Sequence, residues 1–433
     1  MSFEKPVLQV AIDFIDLPRA LRVAEEAVAG GVDWIEAGTP LIKSEGLNVV
    51  RELRKRFPDK IIVADMKIMD VGSVEVQMAA EAGAKVVMML GATDDSTIRE
   101  GVEAGARYGA KIMVDLINVE DMITRAVMLE RIGVDYICIH VGIDQQMRGV
   151  NPLDMLARVV EVVHVPVGVA GGINSETAAK AVEVGASIVI VGGAITKAED
   201  AREATRLMKE AMYTRRPIAT KLYKKYSEAN LHDVYMQVST PNISDAMQRK
   251  GEMSGIKPIT GGVKAAGRAV TVRAYPGDWS KPVEAVDISG PGNVIVIEAA
   301  GGDKALWGEL ATWSAVQNKV EGVVIDGAIR DVDEIRSLKF PAFARHINPT
   351  AGDPKGLGEI NVEIVCGGLK VRPGDWIVAD DNGVVVISQE MAVEIANRAL
   401  DVLEHENRVR GEIKQGSTLS KVLQLKKWEK IIG

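Results

Sequence analysis

The sequence predicts an α/β protein: a (β/α)8 TIM barrel in the first half, followed by a second domain of mixed α and β structure. Three observations carry this. The first half repeats a unit of β-branched apolar run, turn and amphipathic stretch. Eight such units fit within residues 1–212, and alternating strands and helices imply a parallel sheet. After Met212 the repeat stops. With 433 residues the chain exceeds the size at which a single core keeps growing, so two domains are natural.

The predicted barrel strands cover residues 7–12, 33–35, 61–64, 86–90, 111–114, 135–139, 165–169 and 187–191. Amphipathic segments at 19–29, 73–82, 97–108 and 176–184 lie between them. On pattern alone a doubly wound open sheet is the alternative. Residues 213–230 read as a solvated linker, with Arg215, Arg216, Lys221, Lys224 and Lys225 around Pro217. The second domain, 231–433, has predicted strands at 269–274, 294–298, 322–326, 360–365, 375–378 and 384–387, and a terminal helix from 389 to about 411.

Composition narrows the function. Hydrophobic residues make up 47% and charged residues 26%, as in ordinary globular proteins, and the net charge of −8 argues against nucleic acid as a partner and for a small substrate. The start, MSFEKPVLQV, lacks the pattern of a secretory signal, and no apolar run approaches the roughly 18 residues of a membrane span. Cys138 and Cys366 have neither pairing nor zinc-type spacing, so a cytoplasmic protein with two buried thiols is expected.

Catalytic groups of such barrels sit at the C-terminal ends of the strands. Here those ends carry Asp13, Glu36, Asp65 with Lys67, Asp115 and His140, and the last two strands end in Gly171-Gly172 and Gly192-Gly193. A rim salt bridge is the plain alternative for any one of the carboxylates; the whole set converging on one mouth argues for a site. The glycine pairs let backbone N–H groups approach a phosphate. Glu36 and Asp65 offer hard oxygen ligands suited to Mg2+. Lys67, two residues beyond Asp65 and so on the same inward face, is placed to neutralise an oxyanion. His140 is the candidate proton shuttle.

The stretches "LQVAIDFIDL", "DWIEAGTPLIKSEG", "ADMKIMDVGSVE", "ICIHVGIDQQ", "GVAGGI" and "IVGGAITKA" resemble the 3-hexulose-6-phosphate synthases of the orotidine-5'-monophosphate decarboxylase superfamily, over about residues 1–212. The resemblance implies an aldol reaction, dependent on Mg2+ (or Mn2+), that joins formaldehyde to ribulose 5-phosphate or runs in reverse. It also implies that Asp70 reaches into the site of a neighbouring subunit, and hence a barrel dimer. A 3-keto-gulonate-6-phosphate decarboxylase-like barrel is the rival; that branch places an arginine where this chain has Gly193.

Downstream, "STPNISDAM", "EAAGGDKALWGELATWSAVQNKVEGVVIDGAIRDVDEI" and "GDWIVADDNGVVVI" resemble the family of 4-hydroxy-4-methyl-2-oxoglutarate aldolases and ribonuclease-E regulators, over about residues 232–410. This implies a swivelling β/β/α-type fold and a trimer or hexamer. Arg330 would bind the carboxylate of pyruvate or another oxo-acid and Asp331 a divalent metal, with support from Asp303 and Glu309. Activity as a pyruvate-type aldolase or oxaloacetate decarboxylase follows from that resemblance, or else a regulatory module without catalysis.

Overall fold

The computed structural model describes residues 5–220, 224–299, 302–423 and 425. Lys221 of the predicted linker, Ala300 and Gly301 of the glycine loop, and the first four residues of the N-terminal stretch lie outside them. The chain forms two compact units, one comprising 1–225 with 404–433, the other 226–403.

In the first unit eight parallel strands close into a barrel in sequence order: β1 (Val7–Ile12), β2 (Trp34–Ala37), β3 (Ile61–Ile68), β4 (Val86–Leu90), β5 (Lys111–Asp115), β6 (Tyr136–His140), β7 (Val167–Ala170) and β8 (Ile188–Val191). β8 returns to β1 with Val7 opposite Ile188 and Val10 opposite Val191, which rules out the open sheet. The strands read as continuous apolar runs because both faces are covered. Leu8, Val10 and Ile12 face the outer layer, where they meet helix residues such as Ala20, Val23 and Ala24. Val7, Ala11, Trp34, Val63, Met113 and Cys138 form the inner cluster. By strand alternation this inner face also carries Gln9, Glu36, Asp65, Asp115 and His140.

β3 departs from the sequence expectation. It runs to Ile68, its pairing with β4 slips between Ala64 and Ile68, and Lys67 has φ +50. The slip marks a β-bulge. Simple alternation therefore does not carry Lys67 to the side of Asp65; the left-handed kink does.

The second unit holds a mixed sheet, with β9 (Lys257–Pro258), β10 (Ala265–Ala274), β11 (Asn293–Glu298), β12 (Ala305–Trp307), β13 (Gly322–Ile329), β14 (Ala342–Ile347) and β15 (Gly358–Ile360). β16 (Ile364–Cys366) and β17 (Leu369–Val371) form a separate hairpin, and β18 (Trp376–Asp380) and β19 (Gly383–Ile387) complete the set. The order is β19-β18-β10-β11-β13-β14-β9, parallel from β10 to β14, with β12 beside β13 and β15 beside β10. The strand predicted over 360–365 is broken because Asn361 takes φ +58. Cys138 and Cys366 are free and buried, as expected.

The sequence boundary assigned everything to 433 to the second domain, whereas the described residues from Glu404 on group with the barrel. The physical reason is an ion-pair network: Arg408, buried on the helix Ala392–Lys414, donates to both carboxylate oxygens of Glu26 (2.8 and 2.9 Å) and to the carbonyl of Ala198 (3.1 Å). Among the described residues no helix is long and apolar enough to cross a membrane.

Candidate active site at the barrel mouth

Strands β1, β2, β3, β5 and β6 deliver the polar groups of the mouth. β2 runs Trp34-Ile35-Glu36-Ala37 with Ala11 opposite Glu36, and Gly38 then turns the chain into the helix Thr39–Glu45. A Cβ at Gly38 would collide with the Asp13 carboxylate, so this glycine is what lets Asp13 lie against the Glu36 strand. Thr39 Oγ1, at the start of that helix, donates to Asp65 Oδ2 at 2.8 Å. Lys67 Nζ sits 2.8 and 2.6 Å from the two oxygens of Asp65 and 3.0 Å from Asp115 Oδ2. That same Asp115 oxygen lies 2.7 Å from His140 Nδ1, while Asp115 Oδ1 accepts the N–H of Ile117 at 2.9 Å. Asp65, Lys67, Asp115 and His140 thus form one chain of contacts, joined at Lys67 and Asp115, and Asp13 and Glu36 lie close enough to feel the charges of Asp65 and Lys67.

Gln9 was not among the sequence candidates. It is fully buried, one pleat below the mouth, and its Nε2 donates to Glu36 Oε2 at 2.5 Å while its Oε1 has no hydrogen-bond partner. The available signal was a lone polar residue on the inward side of "VLQVAI".

The electrostatics are those of a site short of positive charge. Burial, then the charges of Asp65 and Asp13, push Glu36 well above the usual carboxylate range against the opposing pull of Lys67 and Gln9. Asp13 opens to the mouth, yet protein crowds its carboxyl, so desolvation and then Asp65 raise it too. For Asp115, burial alone would raise the pKa. The His140 hydrogen bond and the charges of His140 and Lys67 outweigh that and hold it below the usual value. Lys67 is penalised by burial, but Asp65 and Asp115 overcompensate, so its ammonium is fixed in the charged form.

A divalent cation fits this donor set, since Glu36 and Asp65 are crowded carboxyls whose mutual repulsion it would relieve. An ion at Asp65 has to share that carboxylate with Lys67. Among the described residues no group of three or more His, Cys, Asp or Glu is placed to hold a metal ion. A cation held here would have these two carboxylates as its protein ligands and would need water or substrate oxygens for the rest, the kind of coordination that Mg2+ accepts.

Gly171 and Gly172 both take left-handed backbone, φ +105 and +69, at the end of β7, and a Cβ on Gly171 would strike the carbonyl of Val141. Gly192 precedes the short helix Gly193–Thr196 at the end of β8, where the Lys197 side chain passes over Gly193. Asp70 stays apart. It is exposed beyond β3, and its Oδ1 accepts the N–H of Val71 at 2.7 Å. Val71 is itself left-handed at φ +46, so the chain from Lys67 to Val71 holds two strained residues within one motif.

In the second unit a cavity of about 240 Å³ is lined by Trp279, Trp307, Leu310, Arg330 and Asp331. Asp331 is left-handed at the start of the helix Val332–Ser337, and its Oδ2 accepts the N–H of Glu309 at 3.1 Å and lies 3.4 Å from Arg330 Nε. Glu309 turns its carboxylate to Trp313 Nε1 at 3.3 Å. Asp303 is exposed and contributes only its backbone carbonyl, to Asn348, away from the cavity lining. Among the described residues Asp331 is the one carboxylate lining this cavity, and Arg330 beside it is placed to receive a carboxylate.

Comparison with known proteins matches both halves. Residues 6–208 fit the family model described as orotidine 5'-phosphate decarboxylase / HUMPS family, and residues 240–386 the RraA-like model described as Aldolase/RraA. The 3-hexulose-6-phosphate synthase of Bacillus subtilis is 41% identical over 204 residues, 47% of this chain and 97% of that one. Its counterpart from Mycobacterium gastri is 42% identical over 205 residues, 47% of this chain and 99% of that one. The solved RNA-processing inhibitor RraA of Thermus thermophilis is 27% identical, with a TM-score of 0.33, covering 34% of this chain and 92% of that one. The chain therefore belongs, through its barrel, to the orotidine 5'-phosphate decarboxylase / HUMPS family, and it carries an RraA-like domain after that barrel.

Proposed function

We propose that the barrel joins formaldehyde to ribulose 5-phosphate, giving a hexulose 6-phosphate, and catalyses the reverse cleavage. The observation that carries this reading is the Lys67–Asp115–His140 relay beside the buried Glu36 and Asp65. In the forward direction a proton leaves C1 of the pentulose, next to its carbonyl. The resulting ene-diolate attacks the formaldehyde carbon, and the formaldehyde oxygen takes up a proton. Asp115 is an acceptor only, so it fixes the proton of His140 on Nδ1 and leaves Nε2 to take and return the migrating proton. Lys67, held charged, stabilises the ene-diolate. Glu36 and Asp65 would hold Mg2+ or Mn2+, which when bound would supply Lewis acidity beside that charge. Gln9 orients Glu36. Gly171, Gly172, Gly192 and Gly193 take the phosphate.

Asp70 completes the site of a second barrel in this proposal. Met69, Val71, Val74 and Met78, which flank it in sequence, are all about half exposed, an apolar exposure of the kind a dimer covers. The second domain binds a small oxo-acid at Arg330, whose guanidinium suits a planar carboxylate, and either cleaves it or responds to it. Product analysis tests the barrel reading: a hexulose phosphate formed without release of carbon dioxide supports it, whereas carbon dioxide from 3-keto-gulonate 6-phosphate moves the assignment to the decarboxylating branch.

A further inference from the structure

Residues from the far end of the helix Ala392–Lys414 and beyond line a cavity at the barrel's catalytic end. Resting on the sugar-phosphate reading of the mouth, we propose that residues 404–423 form a wall of the barrel's substrate pocket, so that sugar-phosphate affinity depends on chain lying beyond the second domain in sequence. The cavity measures about 450 Å³. Asp13 and Phe14, which follow β1, and Lys197, which caps the short helix Gly193–Thr196, line it together with Arg408, Val422 and Leu423. Asp13 belongs at once to this cavity and to the cluster of Glu36, Asp65 and Lys67.

This wall is built into the barrel. Arg408 Nε donates to Glu412 Oε1 at 3.0 Å, and the same oxygen accepts from Arg19 Nε at 3.0 Å, so Glu26, Arg408, Glu412 and Arg19 alternate in sign along one chain of contacts. Arg408 and Glu412 are 4% and 9% exposed, and breaking such buried pairs leaves a charge uncompensated. Arg19 stacks over Phe14, 4.8 Å from its ring centre, which ties the network to the loop that bears Asp13. Val422, 5% exposed, sits on the short helix Leu419–Val422. Arg19, Lys197 and Arg408 line the cavity with Asp13 and Asp16, the two arginines already held by Glu412 and Glu26, so the wall is polar and fixed in place on the side that faces the mouth.

The test is calorimetric titration of ribulose 5-phosphate into the full-length chain, into Val422→Asp, and into a chain stopped after Gln415, which keeps the Arg408–Glu26 pair. Circular dichroism establishes that each is folded. The proposal expects affinity to fall about tenfold or more in both variants, with KM rising in parallel and kcat within about twofold of wild type. Equal affinities in all three, or no binding by the wild type, would overturn it. A wild type that binds but does not turn over, with weakened variants, would sink the reaction assigned above and leave the wall standing.

Discussion

Asp115 Oδ2 lies 2.7 Å from His140 Nδ1 and 3.0 Å from Lys67 Nζ, so a single fully buried oxygen sets both the tautomer of the imidazole and the position of the ammonium. Asp115→Asn keeps the shape but lets its amide donate, which shifts the proton to Nε2. The expected result is a fall in kcat of about a hundredfold or more with KM within a few-fold. Steady-state kinetics check this, and an unchanged kcat would remove His140 from proton transfer.

Asp70 is exposed and apart from its own cluster. Lys67→Met and Asp70→Asn should each be inactive. Mixed after mild dissociation and reassociation they should recover up to about a quarter of the wild-type rate, because half the re-formed dimers carry one complete site. If Asp70 serves its own subunit, mixing recovers nothing.

In the second unit Arg330 and Asp331 share one cavity and Glu309 braces Asp331 through its N–H. Pyruvate release from 4-hydroxy-4-methyl-2-oxoglutarate should fall by about two orders of magnitude in Arg330→Ala, on the scale of a lost charged substrate contact. Coupled detection of pyruvate reads this out. Equal rates in wild type and variant would leave the domain a binding module.

Asp278 organises the turn before the helix Ser280–Asp287. Its oxygens accept from the N–H groups of Ser280 (3.0 Å) and Leu357 (2.9 Å) and from the Ser280 hydroxyl. Burial alone would raise its pKa, but these hydrogen bonds outweigh it and hold the carboxyl well below the usual range. A depressed folded-state pKa gives stability that is present above the unfolded value near 4 and is lost as pH falls through the folded one. Asp278→Asn should therefore destabilise the second domain by about 1–2 kcal/mol at pH 7, with the gap closing as the pH drops below about 4. Denaturant melts across that range check the sign.

Much of the barrel was legible because each strand carries its own evidence: an apolar run, in most cases a polar or glycine end, and for several an amphipathic segment after it. What escaped depends on tertiary contact. Gln9 reads as one polar residue in a strand until Glu36 is seen beside it. The bulge at Lys67 leaves no mark in the residue pattern, although the lysine reaches Asp65 because of it. The strand Ala342–Ile347 was missed, since Arg345 and His346 interrupt its apolar run, and Arg345 is held by Asp326 from β13. The terminal helix could be read from its periodicity, but which core its far end joins is decided by Glu26, almost four hundred residues earlier.

The central claim is an aldol reaction organised by Lys67 and by an ion at Glu36 and Asp65. Its most direct test follows formaldehyde consumption with ribulose 5-phosphate while Mg2+ is titrated, in wild type, Lys67→Met and Asp65→Asn. Saturable, chelator-sensitive loss of formaldehyde in the wild type, reduced about a hundredfold or more in both variants, is the predicted result. Formaldehyde that stays constant in the wild type at every Mg2+ concentration, or falls equally in all three proteins, would contradict it.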